Sequence, residues 1–193
     1  MEARVATERD RDAVTEVLTA AFESDPVWSW AFPNRADLEV WWRFHIRSAL
    51  RFPWVWVLGD FAAVSSWIPP GESELTAAEE AQVEPMLTEL VGSRAPQVME
   101  LLQRFDSSHP EQPPHYYLSL LGSDPTRRGQ GHGMALLEQN LATIDTEGLP
   151  AYLESSNPKN DPRYEKCGFR RIGEFTRPDE QLTVATMWRD AGG

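Results

Sequence analysis

The segment HYYLSLLGSDPTRRGQGHGMALLEQNLA, His115 to Ala142, constrains the fold of this chain more than any other. Its opening residues read as a buried strand. Met134, Leu137, Leu141 and, just beyond, Ile144 fall on one stripe at helical spacing. Between strand and helix stand Arg127, Arg128 and three glycines at alternate positions, Gly129, Gly131 and Gly133. A strand, a tight turn and a helix in this order make an anion site. The first N–H groups of the helix have no internal partner, and the helix dipole adds about half a positive charge there. Glycines let an oxygen approach the backbone because no Cβ intervenes, and the arginines add charge at the rim. The segment is therefore expected to hold phosphate oxygens.

Two familiar phosphate loops do not fit. A dinucleotide fingerprint needs a third glycine, where this chain has Leu136 counting from Gly131, or Met134 counting from Gly129. A P-loop needs a Gly-Lys pair that is absent here. The pattern present is R-x-x-G-x-G, from Arg128 to Gly133.

The rest of the chain reads as a mixed α/β (α+β) order. Strands are expected at ARVAT, at WVWVL and FAAVSSWIP flanking Gly59-Asp60, at PAYLESS, and at RRIGEFT and QLTVATMWR near the end. Val14, Val17, Leu18, Ala21 and Phe22 mark an amphipathic helix that stops before Asp25-Pro26. A helix is expected around ADLEVWWRFHIRSALR. Another starts at a capping box, Thr76 with Glu79, and should kink or split at Pro85. APQVMELLQRF is a further short helix and SSHPEQPPH a loop. DPRYEKCGF is a short helix with Asp161 as N-cap, Pro162 first, and Gly168 in a left-handed cap.

A length of 193 residues suits one domain, residues 1–193, with a sizeable core. The net charge of −12 disfavours non-specific nucleic-acid binding. A single cysteine, Cys167, allows no internal disulfide. No apolar run approaches the ~20 residues of a membrane helix, and the charged N-terminus lacks an apolar leader. The expectation is a cytoplasmic protein that neither binds nucleic acid nor enters membranes.

On these residues the chain resembles the GNAT superfamily of N-acetyltransferases, closely from about His115 to Arg189 and more loosely before. LGSDPTRRGQGHGMALL is similar to the family's pyrophosphate-binding strand–turn–helix, and YLESSNPKNDPRYEKCGFRRIGE to its fifth strand, next helix and YExxGF signature. LESSNPKNDPRYEKCGF, with AFESDPVWSWAFP and WIPPG, is similar to the puromycin N-acetyltransferase-like branch. The resemblance implies a mostly antiparallel sheet splayed between strands four and five, with helices on both faces. It also implies acetyl-CoA as co-substrate and direct N-acetylation of a small amine in a ternary complex. By the same resemblance Leu121, Gly122 and Ser123 run along the pantetheine arm, and Asn157 bonds that arm. Arg128, Gly129, Gln130, Gly131, His132 and Gly133 meet the phosphates, His132 and its neighbours through backbone N–H groups, and Tyr164 protonates the leaving thiolate.

Other side chains admit two readings. Glu154, at the end of the fifth strand, could accept the amine proton through water or be a paired surface carboxylate. His115 could serve as a base near the cleft. His109 and His115 lack the partners of a metal site, so no metal is expected. Cys167 reads as a small filler rather than a nucleophile. Most of the large aromatics must be core, with Trp28, Trp30 and Trp67 as first choices for the wall of an acceptor pocket. Such an aromatic, acidic pocket would suit an amine with a hydrophobic body. The six glutamates between Glu72 and Glu89 read as a solvated helix face. Transfer to another O or N acceptor, a non-catalytic acyl-CoA-binding module, and pairing of two copies through the aromatic first half stay open.

Overall fold

A computed structural model describes all 193 residues. Seven strands form one sheet: β1 (Ala3–Val5), β2 (Val55–Leu58), β3 (Ala63–Ile68), β4 (Tyr116–Ser123), β5 (Ala151–Ser155), β6 (Arg170–Thr176) and β7 (Thr183–Arg189), in the order β1-β2-β3-β4-β5-β7-β6. All neighbours are antiparallel except β4 and β5. The helices are α1 (Arg11–Phe22), α2 (Trp28–Ala31), α3 (Arg35–Ala49), α4 (Ala77–Val91), α5 (Ala95–Ser108), α6 (His132–Thr146) and α7 (Asp161–Lys166). None is long and apolar enough to cross a membrane.

The sheet separates two cores. On one face Leu18, Trp41, Trp42, Leu87 and Leu101, from α1, α3, α4 and α5, pack with Val57, Val64 and Leu120. On the other, Leu137, Leu141 and Ile144 of α6 and Phe169 pack with Trp67, Leu118 and Leu153. Leu118 and Leu120 should share a face under strand alternation, yet they lie in different cores. The cause is a bulge. Trp67 pairs with Leu118 and Ser66 with Leu120, so Ser119 is one extra residue on β4. An extra residue flips the faces and bends the strand. Below the bulge β4 pairs with β5 at Tyr116, Tyr117 and Leu118; beyond it no pairing remains. β4 instead follows β3 to Ser123. The sheet therefore splits between β4 and β5.

Two expectations need correction, and one helix was not expected. α4 runs unbroken from Ala77 to Val91 with Pro85 inside it; both Pro85 and Ala81, whose carbonyl the missing N–H would have engaged, are exposed, so water can take that carbonyl. The N-cap of α7 is Asn160 rather than Asp161. The aromatic stretch after Asp25 contains the short helix α2, because the Asp25 carboxylate accepts from the N–H groups of Val27 (2.9 Å) and Trp28 (3.2 Å) and starts a turn.

Candidate active site

The split in the sheet opens into a cavity of about 1250 Å³. One end is the turn before α6. Gly129 and Gly131 have φ of +85° and +76°, and a Cβ on either would meet nothing within 4 Å. Left-handed backbone beside open space is where glycine is required. No backbone N–H from Gly129 to Met134 donates to any other group of the chain. Gly133 is needed for another reason: a Cβ there would come within 2.7 Å of Ser123 Oγ, so it lets α6 approach β4. Arg127 is engaged by Asp124 at 3.4 Å, while Arg128 is exposed and unpaired. A row of unsatisfied donors with a free guanidinium fits phosphate oxygens.

The middle of the cavity is walled by Leu121, Gly122 and Ser123 on the unpaired side of β4 and by Asn157 and Tyr164 across from them. Asn157 Oδ1 accepts from Lys159 N at 3.2 Å, so its oxygen caps a turn and its amide nitrogen is left free. Tyr164 is 9% exposed and its hydroxyl has no hydrogen-bond partner in the chain. Burial, and then the charge of Asp25, hold its pKa above the ordinary phenol value. Asp25 ties the two halves together: besides starting α2 it accepts from Ser156 Oγ at 2.8 Å, just after β5.

Glu154 lies deeper. Its side chain is 2% exposed, and its Oε1 has no hydrogen-bond partner in the chain although the residue lines the cavity. Burial pushes its pKa up to about 8, against the pull of the Tyr117 and Tyr152 hydroxyls. The reading of Glu154 as a paired surface carboxylate is thereby excluded. Its Oε1 is 3.9 Å from Nδ1 of His109. His109 Nε2 is 3.0 Å from His115 Nε2, and His115 Nδ1 is 2.8 Å from the Pro113 carbonyl.

Proton positions can be assigned along this chain from its hydrogen bonds. A carbonyl only accepts, so His115 Nδ1 carries a proton. Neutral His115 then accepts at Nε2 from His109 Nε2–H. That leaves His109 Nδ1 bare toward Glu154, at a separation too long for a hydrogen bond. Burial and then His115 pull the His109 pKa down to about 4, and burial lowers that of His115, so both imidazoles favour the neutral form.

Among the proposed acceptor-wall aromatics, only Trp28 lines the cavity, stacked at 5.9 Å on Phe105. Trp67 is fully buried against α6, its indole N–H bonded to Asn140 Oδ1 at 3.0 Å. Trp30 lies between the guanidinium groups of Arg94 and Arg177, at 5.3 and 5.1 Å, outside the cavity. Both serve structure instead, since a buried indole needs an acceptor and a guanidinium stacks on its face. Gln130 is exposed and does not line the cavity; its Oε1 is 3.0 Å from His132 Nε2. Cys167 is also outside it. Sequence reasoning missed His109, Asp25, Lys159 and Arg163 as cavity residues. The one available signal was a second histidine six residues before His115.

The profile of the Acetyltransferase (GNAT) family matches residues 95–169. An uncharacterized N-acetyltransferase of Schizosaccharomyces pombe is 35% identical over 77 residues, which are 39% of this chain and 31% of that protein. Two solved structures share the fold over nearly the whole chain. A histone acetyltransferase HPA2 and related acetyltransferase from Corynebacterium glutamicum has a TM-score of 0.73 at 22% identity, covering 99% of this chain and 96% of that one. Arylalkylamine N-acetyltransferase 2 from Aedes aegypti has a TM-score of 0.72 at 15% identity, covering 99% of each. The matched family segment starts at α5, passes through the split β4 and the glycine turn, and ends at Phe169, just after Tyr164, so it contains the cationic end of the cavity, Glu154 and Tyr164. Residues 95–169 of this chain match the acetyltransferase (GNAT) family, and the whole chain has the fold of solved acetyltransferases.

Proposed function

We propose that the protein is an acetyl-CoA-dependent N-acetyltransferase acting on a small amine by direct transfer, with both substrates in the one cavity. Acetyl-CoA supplies an acetyl group activated as a thioester. The N–H groups from Gly129 to Met134 and Arg128 hold its phosphates. Lys159 and Arg163, at the same end, add positive charge. The unpaired side of β4 at Leu121, Gly122 and Ser123 offers backbone donors to the pantetheine arm and the acetyl oxygen, and the free amide of Asn157 bonds the arm. Glu154, once ionised, takes the proton that an ammonium group must lose before its nitrogen can attack. Tyr164 donates to the departing sulfur. Cys167 lies outside the cavity, which favours direct attack over a cysteine-bound acetyl group. The similarity of LESSNPKNDPRYEKCGF to the puromycin N-acetyltransferase-like branch supports a small-molecule acceptor.

The observation that carries this reading is Glu154: a buried side chain with an unpartnered carboxylate oxygen, lining the same cavity as a row of unsatisfied phosphate donors. A buried unpaired carboxylate is costly unless it has a task. The test mixes the protein with acetyl-CoA and a panel of amines and follows free thiol and acetylated amine together. Equal release of both supports the reading. Acetyl-CoA binding without thiol release on any amine would instead favour a non-catalytic module.

A further inference from the structure

The cavity is divided by charge. Its Lys and Arg residues, Arg127, Arg128, Lys159 and Arg163, all come from the turn before α6 and the segment after β5. The opposite wall, from the β3–α4 loop, α4 and α5, carries Glu74, Glu80 and Asp106 and no Lys or Arg. None of these three carboxylates is in an ion pair, whereas Glu79 on the same helix is held by Arg47 and Arg51. All three line the one cavity, and besides desolvation there the charges of Glu80 and then Glu74 raise the pKa of Asp106. Glu74 accepts a short hydrogen bond from Ser119, the bulged residue of β4, and its charge reaches Glu154.

Unpaired like charges on a shared wall repel one another, so as a solvated helix face the arrangement would be unfavourable. A second observation points to a ligand. Glu154, whose side chain is almost fully buried with one carboxylate oxygen lacking a partner, lines the same cavity. The stacked rings of Trp28 and Phe105 form part of the wall as well, and aromatic faces also attract cations.

Resting on the acetyl-transfer reading, we propose that the acceptor is a diamine or polyamine, whose reacting nitrogen reaches Glu154 while a second cationic group is held by Glu74, Glu80 and Asp106. An amine with only a hydrophobic body would leave the carboxylates unpaired.

Initial rates at saturating acetyl-CoA with 1,5-diaminopentane, 1-aminopentane and 2-phenylethylamine test this. The diamine should exceed 1-aminopentane in kcat/KM by about tenfold or more, which is about 1.4 kcal/mol, mostly through KM. That preference should shrink as sodium chloride is raised, a measurement on the unaltered protein, because partly exposed charges are screened. In the double variant Glu80→Gln, Asp106→Asn it should fall toward the statistical factor of about two that a diamine has by carrying two amines. Equal or better use of either monoamine, or a preference indifferent to salt and to the double variant, overturns the proposal while leaving acetyl transfer intact. Absence of thiol release with these three and with every other amine tried would overturn the transfer reading beneath it.

Discussion

At Glu154 chemistry and stability pull in opposite directions. A carboxylate whose folded pKa is raised above its unfolded value makes the native state bind more protons than the unfolded chain. Its contribution to stability is fully present below the unfolded pKa and is lost as pH rises through the folded value of about 8. Glu154→Gln removes that penalty, so the variant should melt higher than wild type at pH 8 and near wild type at pH 4. Activity moves the other way. In the proposed reaction the ionised form is the base, so wild-type kcat/KM should climb through a limb near pH 8, and Glu154→Gln should lose that limb and drop ~10²-fold or more. His109→Ala admits water beside Glu154 and should shift the limb to lower pH. A pH–rate profile of the three proteins checks both statements; an unmoved limb in Glu154→Gln would remove Glu154 as the base. Tyr164→Phe keeps the ring that packs edge-on against Phe169. Acetyl-CoA affinity should therefore hold while kcat falls ~10²-fold, and a wild-type kcat with chemistry rate-limiting would make Tyr164 a packing residue.

At the scale of elements, the β4–α6 turn is where sequence and structure agree most fully. Gly131→Val should weaken acetyl-CoA binding by about tenfold or more, read by calorimetry. The structure adds that a branched residue at φ +76° also strains the backbone, at about 1–2 kcal/mol of stability. The far end of α6 is fastened differently. Arg189 of β7, almost fully buried, grips Asp145 through two hydrogen bonds of 2.6 and 2.8 Å, and the Arg189 hydrogen bonds hold the Asp145 pKa below the ordinary carboxylate value. Asp145→Asn leaves that guanidinium without its charge partner and should destabilise the fold by about 2–3 kcal/mol. Because the pKa is lowered, the wild-type advantage should be full above the ordinary carboxylate range and fade as pH falls through the lowered pKa. Denaturant melts at two pH values test the sign.

The seven strands were legible because each carries a local signal, alternation or a turn pair, as was the left-handed Gly168. The bulge at Ser119 was not, since an extra residue in β4 is defined only by its partner β3. The His109–His115 contact was hidden for a similar reason, because a proline-rich loop has no period from which to read how its ends meet. Trp67 and Trp30 were misplaced because an indole looks alike in sequence whether it faces a cavity, an Asn140 carbonyl or two guanidinium groups.

At the scale of the whole molecule, the split sheet makes one cleft with a cationic end at α6 and an anionic end between α4 and α5. A single cleft can hold an anionic acyl donor and a cationic amine together, with Glu154 and Tyr164 both lining it. Direct transfer across this cleft is the central claim, and initial-rate kinetics varying acetyl-CoA at several fixed concentrations of 1,5-diaminopentane test it most directly. Intersecting double-reciprocal lines are predicted, because both substrates must be bound before transfer. Parallel lines, with acetyl-enzyme seen by mass spectrometry in the absence of amine, would contradict it.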